Sequence, residues 1–157
     1  MPFISKIEAR AYARATEILE RVETAVLNLF PELMRPLISM KISSAEGQSG
    51  DVISIVSSEL EGKENCQTTF DFVLSEMKRE SQRALRRSID LRLDNDCVLF
   101  LRIDKQAAYL GEVELTDKSD VISVRFHFRD YPRCKRNDAT QIIENQLQIA
   151  GEREDEN

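Results

Sequence analysis

The sequence has few of the residues that mark common catalytic and metal-binding sites. It contains one histidine and three cysteines in 157 residues, and the cysteines are too far apart for a disulfide framework or a zinc-ligand pattern. It also lacks a glycine-rich phosphate loop, a nucleotide fingerprint and a G-x-S-x-G elbow. We therefore expect Cys66, Cys97 and Cys134 to be buried or half-buried free thiols. We expect no enzyme, cofactor or metal, with a small hydrolase as a minor alternative.

Long apolar runs are also missing. No run approaches the roughly 18 residues that a membrane span needs, and Met1 to Lys6 lack the basic and apolar regions of a signal peptide. A cytoplasmic protein is the expectation. The absence of repeats and of a change in composition predicts one domain over residues 1–150.

The charge balance is acidic but unevenly distributed. The net charge of -6 taken alone disfavours a nucleic-acid partner. Four acids and one arginine lie in residues 151–157, a composition typical of a disordered acidic tail. The preceding residues are only mildly acidic, so they can still carry a basic surface.

Hydrophobic periodicity predicts alternating strands and helices. Alternation of apolar and polar residues predicts four strands, at Phe3–Ala13, 38–43, Val52–Leu60 and Val121–Phe128. Helical spacing predicts three helices, from the N-cap Thr16 to Pro31, over Thr69–Ser88 and over Asp138–Ala150.

The most apolar strand is predicted at Cys97–Ile103, in the middle of the sheet. A polar loop, Asp104–Gly111, follows it, and a short strand is expected at Glu112–Leu115. Turns are predicted at Glu46–Gly50 and around Asp94. This element order indicates an α+β fold, a two-layer sandwich with helices on one face of a mainly antiparallel sheet.

The second face of that sheet is expected to be open. The residues predicted to point outward are mostly cations, interleaved with flat rings and with Glu8 as the main acid: Lys6, Arg10, Tyr12, Arg14, Lys41, Phe100, Arg102, Arg125 and His127. Cations contact phosphates and flat side chains stack on unpaired bases, which favours RNA binding. The alternative is a protein-interaction module or homodimer in which a partner covers this face.

Two further basic clusters are candidates for phosphate contacts. Arg79, Arg83, Arg86 and Arg87 are spaced along one flank of the second predicted helix, and arginine forks suit phosphate oxygens. A smaller cluster, Arg133, Lys135 and Arg136, precedes the last helix. Ordinary solvent-facing charge is the alternative for both.

The segment Leu99 to Gly111 reads L-F-L-R-I-D-K-Q-A-A-Y-L-G. It resembles an archaeal family of predicted RNA-binding proteins, or predicted exosome subunits, whose motif is R-x-D-K-Q-A-A-Y-x-G between two strands. Arg102, Asp104 and the residues through Ala108, then Tyr109 and Gly111, match position by position. The flanking features A-T-E at residues 15–17, L-F-P at 29–31, R-L-D-x-D at 92–96 and Tyr131-Pro132 are also similar.

The resemblance implies an α+β fold like that of the ribosomal protein that binds 5S RNA, often likened to a double-stranded-RNA-binding domain. It also implies a non-enzymatic role in RNA processing. The sequence departs from the family at Arg14, where a histidine is usual nearby, and over residues 43–87. Lys105 and Gln106 either offer a charge and an amide to RNA beside Arg102, or belong to a purely structural turn. In such a turn Asp104 bonds backbone N–H groups, Ala107 and Ala108 are buried close to a helix, and Gly111 needs a positive φ.

Overall fold

The computed structural model describes residues 1–47 and 50–156, with side chains described up to residue 153. Part of the predicted turn at Glu46–Gly50, Gln48 and Ser49, lies outside the described residues, as does Asn157. The strands are β1 Phe3–Ala13, β2 Ser39–Glu46, β3 Val52–Glu61, β4 Val98–Asp104 and β5 Val121–Arg129. The helices are α1 Leu19–Leu27, α2 Lys63–Glu76, α3 Arg79–Arg92, α4 Lys105–Tyr109 and α5 Arg136–Glu156, with a 3₁₀ helix at Glu32–Leu37.

The five strands form one antiparallel sheet in the order β2-β3-β1-β5-β4. The expectation that the strand after Cys97 is central is therefore wrong, because β4 lies at an edge and β1 is central. The outer edge of β4 is met only by isolated bridges, from Leu93 to Leu99 and from Leu115 to Ile103. The run is apolar because alternate side chains enter the core while Phe100 and Val98 lie on the other face.

The helices pack on one face of the sheet, which confirms the predicted two-layer α+β sandwich. Apolar side chains from the strands and from α1, α2, α3 and α5 form one buried cluster between the layers. At its centre Phe70 of α2 meets Phe126 and Phe128 of β5 edge to face, at centroid distances of 5.2 and 5.9 Å. Such contacts add about 0.5–1.5 kcal/mol each to the burial of the rings.

The alternation predicted for β1 fails at its start. The pairing of β1 with β5 shifts register between Ile4 and Lys6, so Ile4 and Ile7 are both buried. The sequence pattern predicted that Phe3, Ser5 and Ile7 share one inward face, and this prediction is wrong. An extra residue in one strand exchanges the inward and outward faces of the side chains that precede it. From Lys6 onward the predicted phase is correct.

The second predicted helix is two helices. The α2 helix ends at Glu76, because Met77 is extended and bridges to Val113. Lys78 then donates its backbone N–H to the carbonyl of Val113 at 3.1 Å before α3 begins. In place of the predicted strand at Glu112–Leu115 the structure has two isolated bridges, one at Val113 and one at Leu115. Residues 63–68, expected as a connection, form the first turns of α2.

Three other element boundaries differ from the sequence prediction. The N-cap of α1 is Ile18 rather than Thr16, and its side chain makes no capping bond. Residues 105–109, expected as loop, form the short helix α4. The α5 helix continues through Glu156, into the acidic segment.

Candidate functional site

The face of the sheet opposite the helices carries most of the cations and rings that the sequence pattern assigned to it. We call it the open sheet face, and its central members are Lys6, Glu8, Arg10, Tyr12, Phe100, Arg102, Arg125 and His127. Cross-strand pairing places Arg125 between Glu8 and Phe100, and Arg10 opposite Ser123. Lys41 lies further out, on β2 opposite Ser57. The antiparallel register thus brings together residues more than a hundred positions apart in sequence.

Two arginines on the open sheet face lie over aromatic rings. The guanidinium of Arg10 is 5.6 Å from the Tyr12 ring centroid, and that of Arg125 is 5.3 Å from the Phe100 centroid. Both rings are accessible, with Tyr12 53% and Phe100 38% exposed. A positive charge held against an exposed flat ring can contact a phosphate while the ring accepts a base.

A depression of about 240 Å³ lies between these pairs. Its floor includes Ser57 and Ser123, whose small side chains leave space beside Arg10 and Arg125. Hydroxyl groups there can donate to or accept from a polar ligand. The centre of the face therefore combines a recess, hydroxyls, cations and rings.

The positive charge is not spread evenly over the face. At one end His127 Nε2 lies 2.5 Å from Glu8 Oε1, and Lys6 Nζ lies 3.7 Å from Glu59 Oε1. Glu59 offsets the charge of Lys6, and Glu8 places a negative charge beside His127. Away from these pairs the face is positive, with Arg10, Arg102 and Arg125, although Glu8 also lies opposite Arg125.

Two more predicted residues border this positive end. Arg102 is exposed, and one of its guanidinium nitrogens donates to the carbonyl of Lys118 at 2.8 Å, which leaves its other N–H groups available. Arg14 lies just beyond the end of β1 and is also exposed. Its backbone N–H donates to Glu17 Oε1 at 3.1 Å.

The segment Asp104–Gly111, here called the motif loop, has a structural role for most of its residues. Asp104 caps α4 by accepting from the N–H of Ala107 at 2.8 Å. Ala107 and Ala108 are buried, and α4 packs against α1. Gly111 adopts a φ of 81°, a conformation that favours glycine. The structural interpretation of these four residues is therefore confirmed.

One interpretation of the sequence expected the Lys105 side chain to offer its charge to RNA, but this side chain does not extend into solvent. Its side chain is 4% exposed, and Nζ lies 2.8 Å from Glu17 Oε2 and 2.7 Å from Asp120 Oδ1. It also donates to the carbonyl of Tyr12 at 2.8 Å. With three acceptors around it, this ammonium ties the motif loop to the end of β1 and does not offer an exposed charge.

Gln106 remains at the surface beside this buried ammonium group. Its Nε2 donates to Asp120 Oδ2 at 3.3 Å. Burial raises the pKa of Asp120, but hydrogen bonds from Lys105 and Gln106 outweigh that effect, so its pKa lies below the ordinary value. The carboxylate therefore stays ionised at neutral pH and orients both side chains.

A second recess, which we call the Tyr109 cleft, lies beside the motif loop and has a volume of about 250 Å³. Residues of α1 and α4 line it, including Ile18, Arg21, Val22, Gln106 and Tyr109. The guanidinium of Arg21 is 5.8 Å from the Tyr109 ring centroid. Sequence reasoning missed this cleft, because no sequence pattern brings Arg21 close to a residue 88 positions later.

The arginines of α3 lie in the helix layer and not on the sheet face. Arg79, Arg83 and Arg86 line a groove of about 270 Å³ together with residues of α5, including Glu152. Arg87 is exposed and lies outside that lining. We call these four residues the α3 arginine flank.

The third basic cluster is divided by the structure. Arg133 and Lys135 are exposed. Arg136 instead joins the start of α5 to the end of α3, donating to the carbonyls of Leu93 at 3.1 Å and Asp90 at 2.6 Å. Its main role in the structure is thus to hold two helices together.

The three cysteines are free, as expected. Burial raises the pKa of the Cys66 thiol to about 11. Burial and a hydrogen bond with Cys97 raise the pKa of Cys134 to about 12, a proximity of two thiols that the sequence did not indicate. Cys134 lines the same cleft as His127, but a protonated thiol is a poor nucleophile.

Among residues 1–47 and 50–156, no group of three or more His, Cys, Asp or Glu side chains is arranged to hold a metal ion. Nor does any helix in that part of the chain combine the length and apolar character needed to cross a membrane.

Comparison with known proteins gives this geometry a family context. A family model described as RNA binding matches residues 6–128. An RNA-binding protein of Pyrococcus abyssi is 31% identical over 130 residues, which cover 82% of this chain and 84% of that protein.

Solved structures agree with this match. A protein of Archaeoglobus fulgidus is similar with a TM-score of 0.76 and 29% identity, over 91% of this chain and 99% of the other. A protein of Methanothermobacter thermautotrophicus is similar with a TM-score of 0.73 and 28% identity, over 92% and 98% of the two chains. The residues matched by the family model include most of β1 and β5, all of β4 and the motif loop, so the chain belongs to this archaeal RNA-binding family.

Proposed function

We propose that this protein binds structured RNA through the open sheet face. The observation that carries the proposal is the pair of exposed rings, Tyr12 and Phe100, each with an arginine guanidinium within 6 Å. Rings that no helix covers leave apolar surface in water unless a ligand occupies it. An RNA supplies bases for the rings and phosphates for the cations.

The layout of the face favours a backbone that crosses it near β1. Arg10, Arg125 and Arg102 lie on the adjacent strands β1, β5 and β4, respectively, and strands in a sheet are about 4.8 Å apart. The three guanidinium groups are thus positioned to contact consecutive phosphates or both sides of one groove. Affinity then comes mainly from phosphate contacts and shape, with limited reading of sequence.

The biological role that we propose is that of a non-enzymatic, cytoplasmic accessory factor in RNA processing, linked to the exosome or to ribosomal RNA. The motif at Leu99–Gly111 supports this role through its resemblance to predicted exosome subunits. The α+β sandwich is compatible with the proposed likeness to the 5S-RNA-binding ribosomal protein. The raised thiol pKa values of Cys66 and Cys134 disfavour these two thiols as nucleophiles.

One observation favours a second candidate function, that of a protein-interaction module. Exposed Tyr12 and Phe100, with partly exposed Ile55 opposite Tyr12 on β3, could be covered by a protein partner or by a second copy of the chain. Aromatic residues and arginine are enriched at such interfaces. The interaction-module hypothesis predicts a protein assembly whose stability does not fall steeply as the salt concentration rises.

The test is direct binding of labelled duplex, stem-loop and single-stranded RNA at two salt concentrations, with the oligomeric state measured in the same samples. The proposal predicts binding that weakens with salt, with a slope of about 0.9 per phosphate contact on duplex regions. A tight dimer that binds none of the three RNAs at low salt would replace RNA binding with the interaction-module function.

A further inference from the structure

The Tyr109 cleft adjoins the motif loop and has no assigned role. Its volume of about 250 Å³ is below the 300–1,000 Å³ typical of pockets for drug-sized ligands, so it suits a single flat ring system better than a larger molecule. Its walls are mixed. Val22 and Ala25 are buried apolar side chains, while Tyr109 and Ile18 are 38% and 52% exposed.

The polar groups at the cleft are also suited to a nucleobase. Arg21 lies against the Tyr109 ring, and flat groups of this kind are the surfaces on which extruded bases stack. Gln106 lies at the wall with an amide that can bond a base edge. One of its two amide N–H groups donates to Asp120, so Gln106 retains its Oε1 as an acceptor and a second N–H as a donor. These groups can bond the edge of an unpaired base.

The cleft is joined to the open sheet face by one buried side chain. Lys105 lines the cleft, and its ammonium group bonds both Glu17, on the cleft wall, and the backbone carbonyl of Tyr12. Tyr12 carries one of the exposed rings of the open sheet face. The end of β1 therefore lies close to both the open sheet face and the cleft.

We propose that the Tyr109 cleft binds one unpaired base of the RNA held on the open sheet face. The inference rests on the proposed RNA-binding function and specifies its substrate, a stem that carries a bulged or extruded base. The base stacks on Tyr109, with Ile18 and Val22 as the apolar side, and Gln106 forms hydrogen bonds with the edge of the base. The phosphates on either side remain with the cations of the face and with Arg14.

The experiment compares a fully paired RNA stem with the same stem carrying one bulged adenine, and the bulged stem is also prepared with 2-aminopurine in place of that adenine. The full-length protein is tested with the variants Tyr109→Ala, Tyr109→Phe and Gln106→Ala. Leu110→Ala is the matched control, because Leu110 is the next residue and 74% exposed but does not line the cleft. Thermal unfolding establishes that each variant is folded.

The wild-type protein should bind the bulged stem about fivefold or more tighter than the paired stem, a range typical of one stacked base. Binding should also quench the fluorescence of the bulged 2-aminopurine. Tyr109→Ala should abolish the preference and leave the affinity for the paired stem unchanged, while Tyr109→Phe and Leu110→Ala retain it. A smaller loss is expected for Gln106→Ala.

Failure of the cleft and failure of the function give different results. Equal affinity for both stems without quenching, in the wild-type protein, overturns the cleft proposal and leaves RNA binding in place. Loss of the preference in Leu110→Ala as well as in Tyr109→Ala also overturns it, because the effect would not depend on the ring. If the wild-type protein binds neither stem, both proposals are wrong. The wild-type fluorescence result decides the matter even if a variant does not fold.

Discussion

The open sheet face and the α3 arginine flank both present several arginines, but the two sets have different surroundings. On the face, Arg10 and Arg125 lie against aromatic rings, next to a recess with serine hydroxyls. On the flank, the described groove has no aromatic residue, and Glu152 lies among the arginines. The number of arginines alone therefore does not distinguish an RNA surface from an ordinary charged helix.

Two arginines of the face are also held in place before RNA binds. The arginines of the face project from neighbouring strands, and the ring contacts restrict two of them before any ligand arrives. A side chain that is already oriented loses less conformational entropy on binding. A carboxylate that competes with phosphate is present in both places, Glu8 in the recess of the face and Glu152 in the groove of the flank, so the aromatic contacts are the difference between them. We therefore expect the face to dominate RNA affinity.

The largest effect is predicted for the triple variant Arg10→Ala, Arg102→Ala and Arg125→Ala. If each phosphate contact contributes about 1 kcal/mol, affinity should fall on the order of 100-fold at low salt. The salt slope should fall by about 2 to 3, at about 0.9 per lost contact. Fluorescence anisotropy titrations measure both quantities. A folded variant with unchanged affinity would show that the open sheet face does not bind the RNA.

Replacing the buried cation should affect stability rather than binding, which separates Lys105 from the exposed arginines. Lys105→Met leaves Glu17 and Asp120 without their partner. A fully buried pair would cost roughly 3–5 kcal/mol, but both acids are partly hydrated, so we expect a loss of about 2 kcal/mol. Urea unfolding measures the loss, with Lys6→Met as the exposed control.

The same variant carries a pH prediction. Because the folded pKa of Asp120 is lowered, its stabilising effect is complete above the unfolded pKa of about 4 and is lost as the pH falls through the folded pKa. The stability difference between wild type and Lys105→Met should therefore shrink as the pH is lowered below about 4. A difference that grows on acidification would contradict the ion pair.

Removing a ring should cost less than removing the three cations. Phe100→Ala should weaken binding to single-stranded and loop RNA by about fivefold or more, the effect of one stacked base, with a smaller effect on plain duplex. Phe100→Leu is the matched variant, since it retains apolar volume without a flat ring. If Phe100→Leu binds like the wild type, the side chain contributes burial rather than stacking.

Removing Glu8, the acid of the open sheet face, should raise the RNA affinity, whereas removing its cations or rings should lower it. Glu8→Gln raises the net charge of the open sheet face by one and leaves an uncharged partner for His127. RNA affinity should rise by about two- to threefold at low salt, and the gain should disappear as salt screens the charge. Glu23→Gln, at a half-buried position of α1 outside the face, is the control. A gain of equal size in both variants would indicate overall charge instead.

The smallest effect is predicted for the α3 arginine flank. Replacing Arg83, Arg86 and Arg87 with alanine removes the same charge as the triple variant of the face. We expect less than about a twofold change in affinity at moderate salt, because charges beyond about 10 Å from the RNA are screened. A loss comparable to that of the face variant would reverse the comparison.

The sequence predicted the face better than the sites around it. Strict alternation in β1, β4 and β5 was sufficient to place Arg10, Phe100 and Arg125 on one surface, because a strand has only two faces. The bulge near Ser5 and the break at Met77 were missed, since neither is marked by glycine or proline. Each depends on a partner distant in the sequence, β5 in one case and Val113 in the other.

The motif loop shows the same limit at the level of single side chains. Asp104 and Gly111 were interpreted correctly as structural residues because their roles are local, a helix cap and a positive φ. The role of Lys105 depends on Glu17, Asp120 and the Tyr12 carbonyl, which come from three separate segments. Local spacing could not reveal those partners, and so it left the lysine as a candidate exposed contact.

The most direct test of the central claim is a map of the RNA on the protein, by NMR chemical-shift changes of the labelled protein titrated with a stem-loop RNA. The account predicts that the largest changes lie in β1, β4 and β5 around Arg10, Tyr12, Phe100 and Arg125, with residues 79–92 little affected. Changes that concentrate in α3 and leave the open sheet face unaltered would contradict it.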